Sequence, residues 1–156
     1  MKRHLMVWAL CCALASYASM AYADTMTVDA DRFELYQDKQ RAEFYGHVVV
    51  HRQDMVLKAD KVLIWYQEIA GKQELKSLHA TGHVVIHTKV KQASADKATF
   101  EAGSEMLILT GHAQVKDENS VLEGEIIEYN TATENMKVLK GKSGKQVTFT
   151  FSEESK

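Results

Sequence analysis

Five of the seven histidines are the residues of this chain best suited to bind a metal ion or to exchange protons near neutral pH: His47, His51, His83, His87 and His112. His51 comes four positions after His47, which places them about 13 Å apart along an extended strand. Zinc holds its ligands at about 2 Å, and the other three histidines lie on different segments, at least one strand away. We therefore predict no metal site and place these histidines on the solvent-facing side of a sheet.

The sequence also gives no support for nucleophilic catalysis. It lacks a Gly-x-Ser-x-Gly motif, and its two cysteines, Cys11 and Cys12, lie in an N-terminal segment that we expect to be removed. Asp60 and Asp96 recur as parts of a repeat and do not form a unique acid–base pair. We predict neither an enzymatic activity nor a cofactor.

The N-terminal segment has the pattern of a secretory signal peptide. Lys2 and Arg3 precede an apolar stretch at 5–14, and Ala-Tyr-Ala at 21–23 places small residues at the cleavage positions. The alternative is an uncleaved membrane anchor. We predict removal of residues 1–23, so that residues 24–156 form one exported domain, which is long enough to bury a core without disulfides.

Charge argues against a polyanionic partner. The 19 Lys and Arg residues and 21 Asp and Glu residues give a formal net charge of −2, and loss of Lys2 and Arg3 with the signal peptide takes it to −4. Domains that bind nucleic acid are usually basic. We predict no nucleic-acid partner.

A repeat organises the exported part of the chain. Three segments share the pattern apolar-x-apolar-x-Gly-His-apolar-x-apolar: Ala42–Val50, Leu78–Ile86 and Leu107–Val115. Thirteen residues after each glycine comes a small residue: Ala59, Ala95 and Gly124. Repeats of this length are typical of stacked units that share one continuous core.

The apolar positions alternate with polar ones, which predicts β-strands buried on one face. In the second half of each unit the alternation changes parity, since Leu57 and Ala59 are followed by Val62 and Ile64. Both halves can face one core only if the strand bulges or turns a corner at the small residue. Helical spacing is not sustained, so we predict an all-β fold.

Glycines and turn residues give further predictions. We interpret Gly46, Gly82 and Gly111 as bulges in the strands, and we also consider that a missing side chain leaves room for a ligand. Hairpin turns are predicted at 117–119 and 143–144, and a longer loop at 67–73, where the repeat carries a seven-residue insertion.

The strand pattern followed by Leu-x-Ala-Asp-Lys-Val resembles the OstA-like repeat of the periplasmic lipopolysaccharide-transport proteins. The resemblance runs from about Met26 to Gly141 and includes Thr110–Ala113 and Leu122–Tyr129. Length and signal peptide make the chain most similar to the bridge component of that family.

The resemblance implies a twisted, partly open antiparallel β-jellyroll in the periplasm, with an interior that holds the acyl chains of lipid A. It implies three kinds of partner: lipopolysaccharide, the inner-membrane-anchored and outer-membrane translocon components of the export machinery, and further copies of the chain stacked end to end by strand pairing.

The inward face predicted from the alternation is expected to line the lipid groove, where each buried acyl methylene contributes about 0.8 kcal/mol. Its residues are Val28, Phe44, Val48, Val50, Leu57, Ile64, Leu78, Val84, Ile86, Phe100, Leu107, Leu109, Val115, Ile127 and Tyr129.

The strand edges expected to pair with partners are the N-terminal and C-terminal strands, whose backbone groups are templates for another chain. They comprise Thr25, Met26, Thr27, Val28, Thr148, Phe149 and Phe151.

Lys140, Lys142 and Lys145 cluster near the C-terminus. They fit either a solvated hairpin end or contacts with lipid phosphates at a mouth of the groove. Two other functions stay open for the whole chain: a membrane-anchored sibling of the bridge, and a structural or sugar-binding β-repeat protein with a filled interior.

Overall fold

The computed structural model describes residues 25–153, so the predicted signal peptide lies outside the described residues. This part of the chain forms ten strands and a short 3-10 helix at Gln37–Lys39. The strands are β1 (Met26–Asp29), β2 (Arg32–Tyr36), β3 (Arg41–Arg52), β4 (Met55–Ile69), β5 (Lys72–His87), β6 (Gln92–Glu101), β7 (Met106–Lys116), β8 (Ser120–Asn130), β9 (Met136–Leu139) and β10 (Thr148–Phe151).

All ten strands join one antiparallel sheet, in which β3 to β8 pair in chain order. Two short strands flank each end. β1 and β2 both pair with β3, over residues 49–52 and 41–45. β9 and β10 both pair with β8, over residues 126–129 and 120–123. The predicted all-β antiparallel fold is confirmed, and the sheet is open because its two ends do not pair.

A corner divides every long strand into two halves. The pairing register shifts between Tyr45 and Val48 on β3, and shifts again at Gly82-His83 on β5 and Gly111-His112 on β7. An extra residue of this kind bends a strand and increases its twist. The sheet therefore has two layers, named here layer A and layer B. Layer A holds residues 32–45, 61–81, 97–110 and 126–139, and layer B holds residues 26–29, 48–59, 84–95, 113–124 and 148–151.

The two layers face each other across the core. Lys91 in layer B lies over the ring of Tyr129 in layer A, and Arg52 in layer B lies over Phe100 in layer A. The largest fully buried side chains come from both layers: Leu57, Leu109, Ile127, Val48, Val50, Val62 and Val84. Burying each of these side chains stabilises the fold by about 1.5–3 kcal/mol.

The parity change predicted at the small residues is confirmed. Ala59 and Val62 are both buried, as are Ala95 and Ala98 in the next unit, although each pair is three residues apart on a strand. Without a bend, residues three apart on a strand point to opposite faces. The corner between them returns the second side chain to the same core.

Two predictions about connections are wrong. The predicted loop at 67–73 is a two-residue turn, because β4 and β5 extend to Ile69 and Lys72. Ala70 and Gly71 have φ values of 51° and 76°, as a tight hairpin turn requires. The predicted hairpin at 143–144 is also not formed, since β9 and β10 pair with β8 and not with each other. The seven-residue insertion thus lengthens β4 and β5, and hydrogen bonds between the two strands satisfy the backbone groups of the inserted residues.

The turn predicted at 117–119 does connect paired strands, β7 and β8. Asp117 stabilises it by accepting hydrogen bonds at Oδ1 from the backbone N–H groups of Asn119 and Ser120, over 3.0 and 2.8 Å. Between residues 25 and 153 no helix has the length and apolar character needed to cross a membrane.

Candidate functional site

The space between the layers holds three connected cavities, which we call the groove. Their volumes are about 550, 390 and 300 Å³. The first and second cavities share Met26 and Leu75, and the second and third share Ile86 and Leu107. The three cavities therefore form one mostly apolar trough that runs across the sheet, and volumes of this size are typical of small-molecule sites.

Most residues predicted to line a groove do line it. The first cavity is lined by Val28, Phe44 and Ile64, the second by Val50, Leu57, Leu78, Ile86, Phe100 and Leu107, and the third by Ile86, Leu107, Leu109, Val115 and Tyr129. The structure thus brings twelve of the fifteen predicted residues to one continuous surface.

Val48, Val84 and Ile127 do not line any of these cavities. They are 1%, 1% and 0% exposed and lie beside the corners, where the two layers meet. Side chains from both layers fill the narrow space there, so these three residues form the closed core beneath the groove. They lie outside the three cavities, and their contact with a ligand stays a prediction.

Several groove residues were not predicted from the sequence, among them Phe33, Tyr66, Leu75 and Met136. Phe33 has a sequence signal, because it follows Asp31 at the same distance at which Val62 follows Asp60. Its ring lies 5.0 Å from that of Phe44, measured between centroids. Phe33 belongs to the edge strand β2 and is largely exposed, so it widens the apolar surface at this end of the groove.

The three Gly-His pairs form the corners. In each corner the histidine Nδ1 lies close to an aspartate Oδ2, over 2.8 Å for His47–Asp31, 2.7 Å for His83–Asp60 and 2.9 Å for His112–Asp96. The glycines have φ values of 77°, 82° and 81°. A Cβ atom on any of them would lie 2.3–2.4 Å from the same aspartate oxygen. The glycines are bulges, as predicted, but the alternative interpretation is wrong because the carboxylate fills the space beside them.

The corner histidines are exposed, as predicted, with side-chain exposures of 92%, 91% and 85%. The hydrogen bond to Asp31 raises the pKa of His47, and the charges of Asp31 and Asp60 add to this effect. Asp60 and Asp96 act on His83 in the same way. Within residues 25–153, no three His, Cys, Asp or Glu side chains are placed to hold one metal ion. Acids and imidazoles therefore alternate along a line of corners across the sheet.

The C-terminal lysines lie at a fourth, variant corner. A Cβ atom on Gly141 would lie 2.0 Å from Cγ of Glu125, and Ser143 Oγ donates a hydrogen bond to Glu125 Oε2 over 2.9 Å. Lys145 borders a cavity on this line together with His112, while Lys140 and Lys142 are exposed. None of the three lysines lines the groove cavities. Their contact with lipid phosphates stays a prediction.

The outer face of layer A carries its own polar network. Glu43 points away from the groove yet is only 6% exposed. It accepts a hydrogen bond from Tyr45, which lowers the pKa of Glu43, and the charge of Arg41 acts in the same direction. Cζ of Arg32 lies 4.3 Å from the Tyr45 ring centroid. Polar and aromatic groups thus cover one another on this face.

The predicted partner edges lie at opposite ends of layer B. Met26, Thr27 and Val28 belong to β1, which pairs only with β3 in the described part of the sheet, and Thr25 precedes it. Thr148, Phe149 and Phe151 belong to β10, which pairs with β8. All residues of β10 are exposed. Each strand therefore has one side on which its backbone groups are available for a further strand.

Comparison with protein families gives a match over residues 27–135. The matching family model is described as LptA/(LptD N-terminal domain) LPS transport protein. This range covers more than half of the chain and includes all three Gly-His corners.

Two curated proteins are similar in sequence. Lipopolysaccharide export system protein LptA of Haemophilus influenzae is 28% identical over 134 residues, which cover 80% of this chain and 77% of that protein. The uncharacterized protein RP507 of Rickettsia prowazekii is 23% identical over 111 residues, which cover 70% of this chain and 77% of that protein.

A similar fold occurs in the crystal structure of LptH from Pseudomonas aeruginosa, described as the LptA-homologous periplasmic component of the lipopolysaccharide transport device. Its TM-score is 0.74 at 17% identity, and the alignment covers 83% of this chain and 96% of that one. At this level of identity the comparison supports the fold.

Proposed function

Because the chain belongs to the family of LptA and LptD N-terminal domain LPS transport proteins, we propose that it is a periplasmic lipopolysaccharide-binding protein whose groove shields the acyl chains of lipid A. The observation that carries this proposal is the trough of three connected cavities between two apolar layers. The proposal gives the protein no catalytic step.

The groove suits acyl chains because its walls are mainly apolar. Its second and third cavities are lined mainly by aliphatic and aromatic side chains, such as Leu78, Ile86, Phe100 and Leu107. Each methylene that moves from water to such a wall gains about 0.8 kcal/mol. Since this gain needs no directional contact, chains of different length can be held and can slide along the trough.

Transport requires that the lipid leave as well as bind. We propose that copies of the chain, and related components at both membranes, stack head to tail by pairing β1 of one with β10 of another. Thr25, Met26, Thr27 and Val28 would then meet Thr148, Phe149 and Phe151, which lie on the opposite end strands of the sheet. A groove that continues across such a junction exchanges one apolar wall for another, with little net change in free energy.

Photocrosslinking in intact cells tests lipid binding. A photoreactive residue at Leu107, which lines two cavities, is expected to form an adduct with lipopolysaccharide. The matched control is Ile108, the next residue on β7, whose side chain points to the opposite face of the strand. Adducts at Ile108 as strong as at Leu107, or none at either site, would contradict the proposal.

The N-terminus of the mature chain distinguishes this proposal from a membrane-anchored sibling with the same fold. Mass spectrometry of the exported protein is expected to show Asp24 as the first residue. A retained segment 1–23 would favour the anchored form.

A further inference from the structure

The loop between β5 and β6 carries two lysines at the rim of the third cavity. Residues 88–91 form a tight turn, in which the Thr88 N–H donates to the Lys91 carbonyl over 2.9 Å. The Lys91 N–H donates back to Thr88 Oγ1 over 3.0 Å. These hydrogen bonds fix the points at which Lys89 and Lys91 leave the backbone.

The two lysines differ in their partners. Lys89 Nζ lies 2.9 Å from Asp54 Oδ2 on the neighbouring β3–β4 loop, so its charge is met. Lys91 is half-buried and forms no salt bridge among the described residues. Its Nζ lies 5.6 Å from the ring centroid of Tyr129, which lines the third cavity from layer A. Lys91 therefore holds its ammonium group over the rim, with its stem against an apolar wall.

We propose that Lys91 binds a phosphate group of the amphiphile whose acyl chains lie in the third cavity. This inference rests on the proposed function and adds the contact for the charged end of the lipid. A phosphate would give the Lys91 ammonium a charge-assisted hydrogen bond without a change in the loop. Lysine binds phosphate as a point charge, which suits a lipid that must later leave.

The acids around the cavity set the orientation of the lipid. Asp54 is neutralised by Lys89, while Glu134 borders the cavity from the loop that follows β8. Asp117 also lies near Lys91, and the pKa of Asp117 is lowered mainly by hydrogen bonding to Ser120, with a small contribution from Lys91. A phosphate is therefore attracted to Lys91 and repelled by both Glu134 and Asp117, so we expect it at the Lys91 ammonium and away from the two carboxylates.

The test compares two lipids and three variants in the complete exported chain. The lipids are diphosphoryl lipid A and a dephosphorylated lipid A with the same acyl chains. Lys91→Gln is expected to weaken binding of the diphosphoryl form by about 3- to 10-fold and to leave binding of the dephosphorylated form unchanged. Lys91→Arg should keep the wild-type preference. Lys97→Gln is the control, since Lys97 is an exposed lysine of β6 that does not line the groove.

Each outcome has a defined meaning. An equal loss for both lipids, or no loss for either, would overturn the assignment of Lys91 while lipid binding by the wild type would leave the proposed function standing. If the wild type takes up neither lipid, both proposals fall. Millimolar inorganic phosphate separates a lipid-borne phosphate from a free anion: it is expected not to displace diphosphoryl lipid A, and saturable binding of free phosphate at Lys91 would overturn the lipid assignment.

Discussion

Nδ1 of His83 on β5 lies 2.7 Å from Oδ2 of Asp60 on β4, directly beside the glycine at which β5 bends. His83 has a φ of 46°, a left-handed conformation that costs most residues about 1–2 kcal/mol. The hydrogen bond to Asp60 favours this conformation, because the left-handed backbone places the imidazole within reach of the carboxylate. The corner therefore combines a backbone bend with a titratable contact.

This contact makes stability depend on pH. The pKa values of His47 and His83 are raised by hydrogen bonds to Asp31 and Asp60, so the folded state binds protons more tightly than the unfolded state. The stabilisation is fully present below the unfolded histidine pKa of about 6.5 and is lost as pH rises through the higher folded pKa. Tm is expected to fall as the pH rises above about 6.5. Replacing both histidines with asparagine, which tolerates the left-handed conformation, should flatten this dependence.

His87→Asn serves as the control for the pH series. His87 is an exposed histidine of β5 outside the corners, so the variant should keep the wild-type slope of Tm against pH. A double variant at His47 and His83 that keeps the full slope would show that the corner contacts do not cause it.

Gly82→Ala is expected to destabilise the protein by about 1–3 kcal/mol. Gly82 has a φ of 82°, and the new Cβ atom would lie 2.3 Å from Asp60 Oδ2, so the bend and the hydrogen bond cannot both persist. Urea denaturation measures the loss. Gly103→Ala is the matched control, since nothing lies within 4 Å of its added Cβ and its φ is not positive. Equal losses for the two variants would contradict the role of the corner.

Mutations in the closed core and in the groove should have different effects, the first mainly on stability and the second mainly on lipid A binding. Ile127→Ala removes a fully buried side chain that does not line the groove, and should lower the free energy of unfolding by about 2–5 kcal/mol. The folded fraction of this variant should still bind lipid A. Leu107→Asp places a charge in two groove cavities. The free energy lost from lipid A binding should therefore exceed the free energy lost from unfolding stability. Urea denaturation and a lipid A binding assay measure the two effects. The opposite pattern would assign the function to the core.

Thr150→Pro should weaken end-to-end association by at least about 10-fold, because proline disrupts the β10 strand on which the proposed pairing depends. The fold should persist, since β10 has no buried residue. Analytical ultracentrifugation over a concentration series measures association. Glu153→Pro, just beyond the strand, is the control. Unchanged association of the Thr150 variant would contradict pairing through β10.

The sequence predicts the local geometry of the fold well. Alternation and the parity change between Ala59 and Val62 depend only on the two-residue period of a strand, and they are enough to locate the corners. The length of the β4–β5 connection was not predictable in the same way. An insertion with polar residues and Gly71 fits a loop, and only pairing between Glu68 and Gln73 shows that it extends the ladder.

By itself, the sequence determined that this is an all-β protein with recurring corners and one apolar face, because those properties follow from neighbouring residues on one strand. Only the tertiary structure decided which apolar residues lie in the closed core and which line the groove. Val84 and Leu107 are both apolar residues at inward positions of the alternation. The two layers meet beside Val84 and are apart at Leu107. It also decided that Lys91 meets Tyr129. Both outcomes depend on how far two layers approach each other, which is set by side chains that are distant in the sequence.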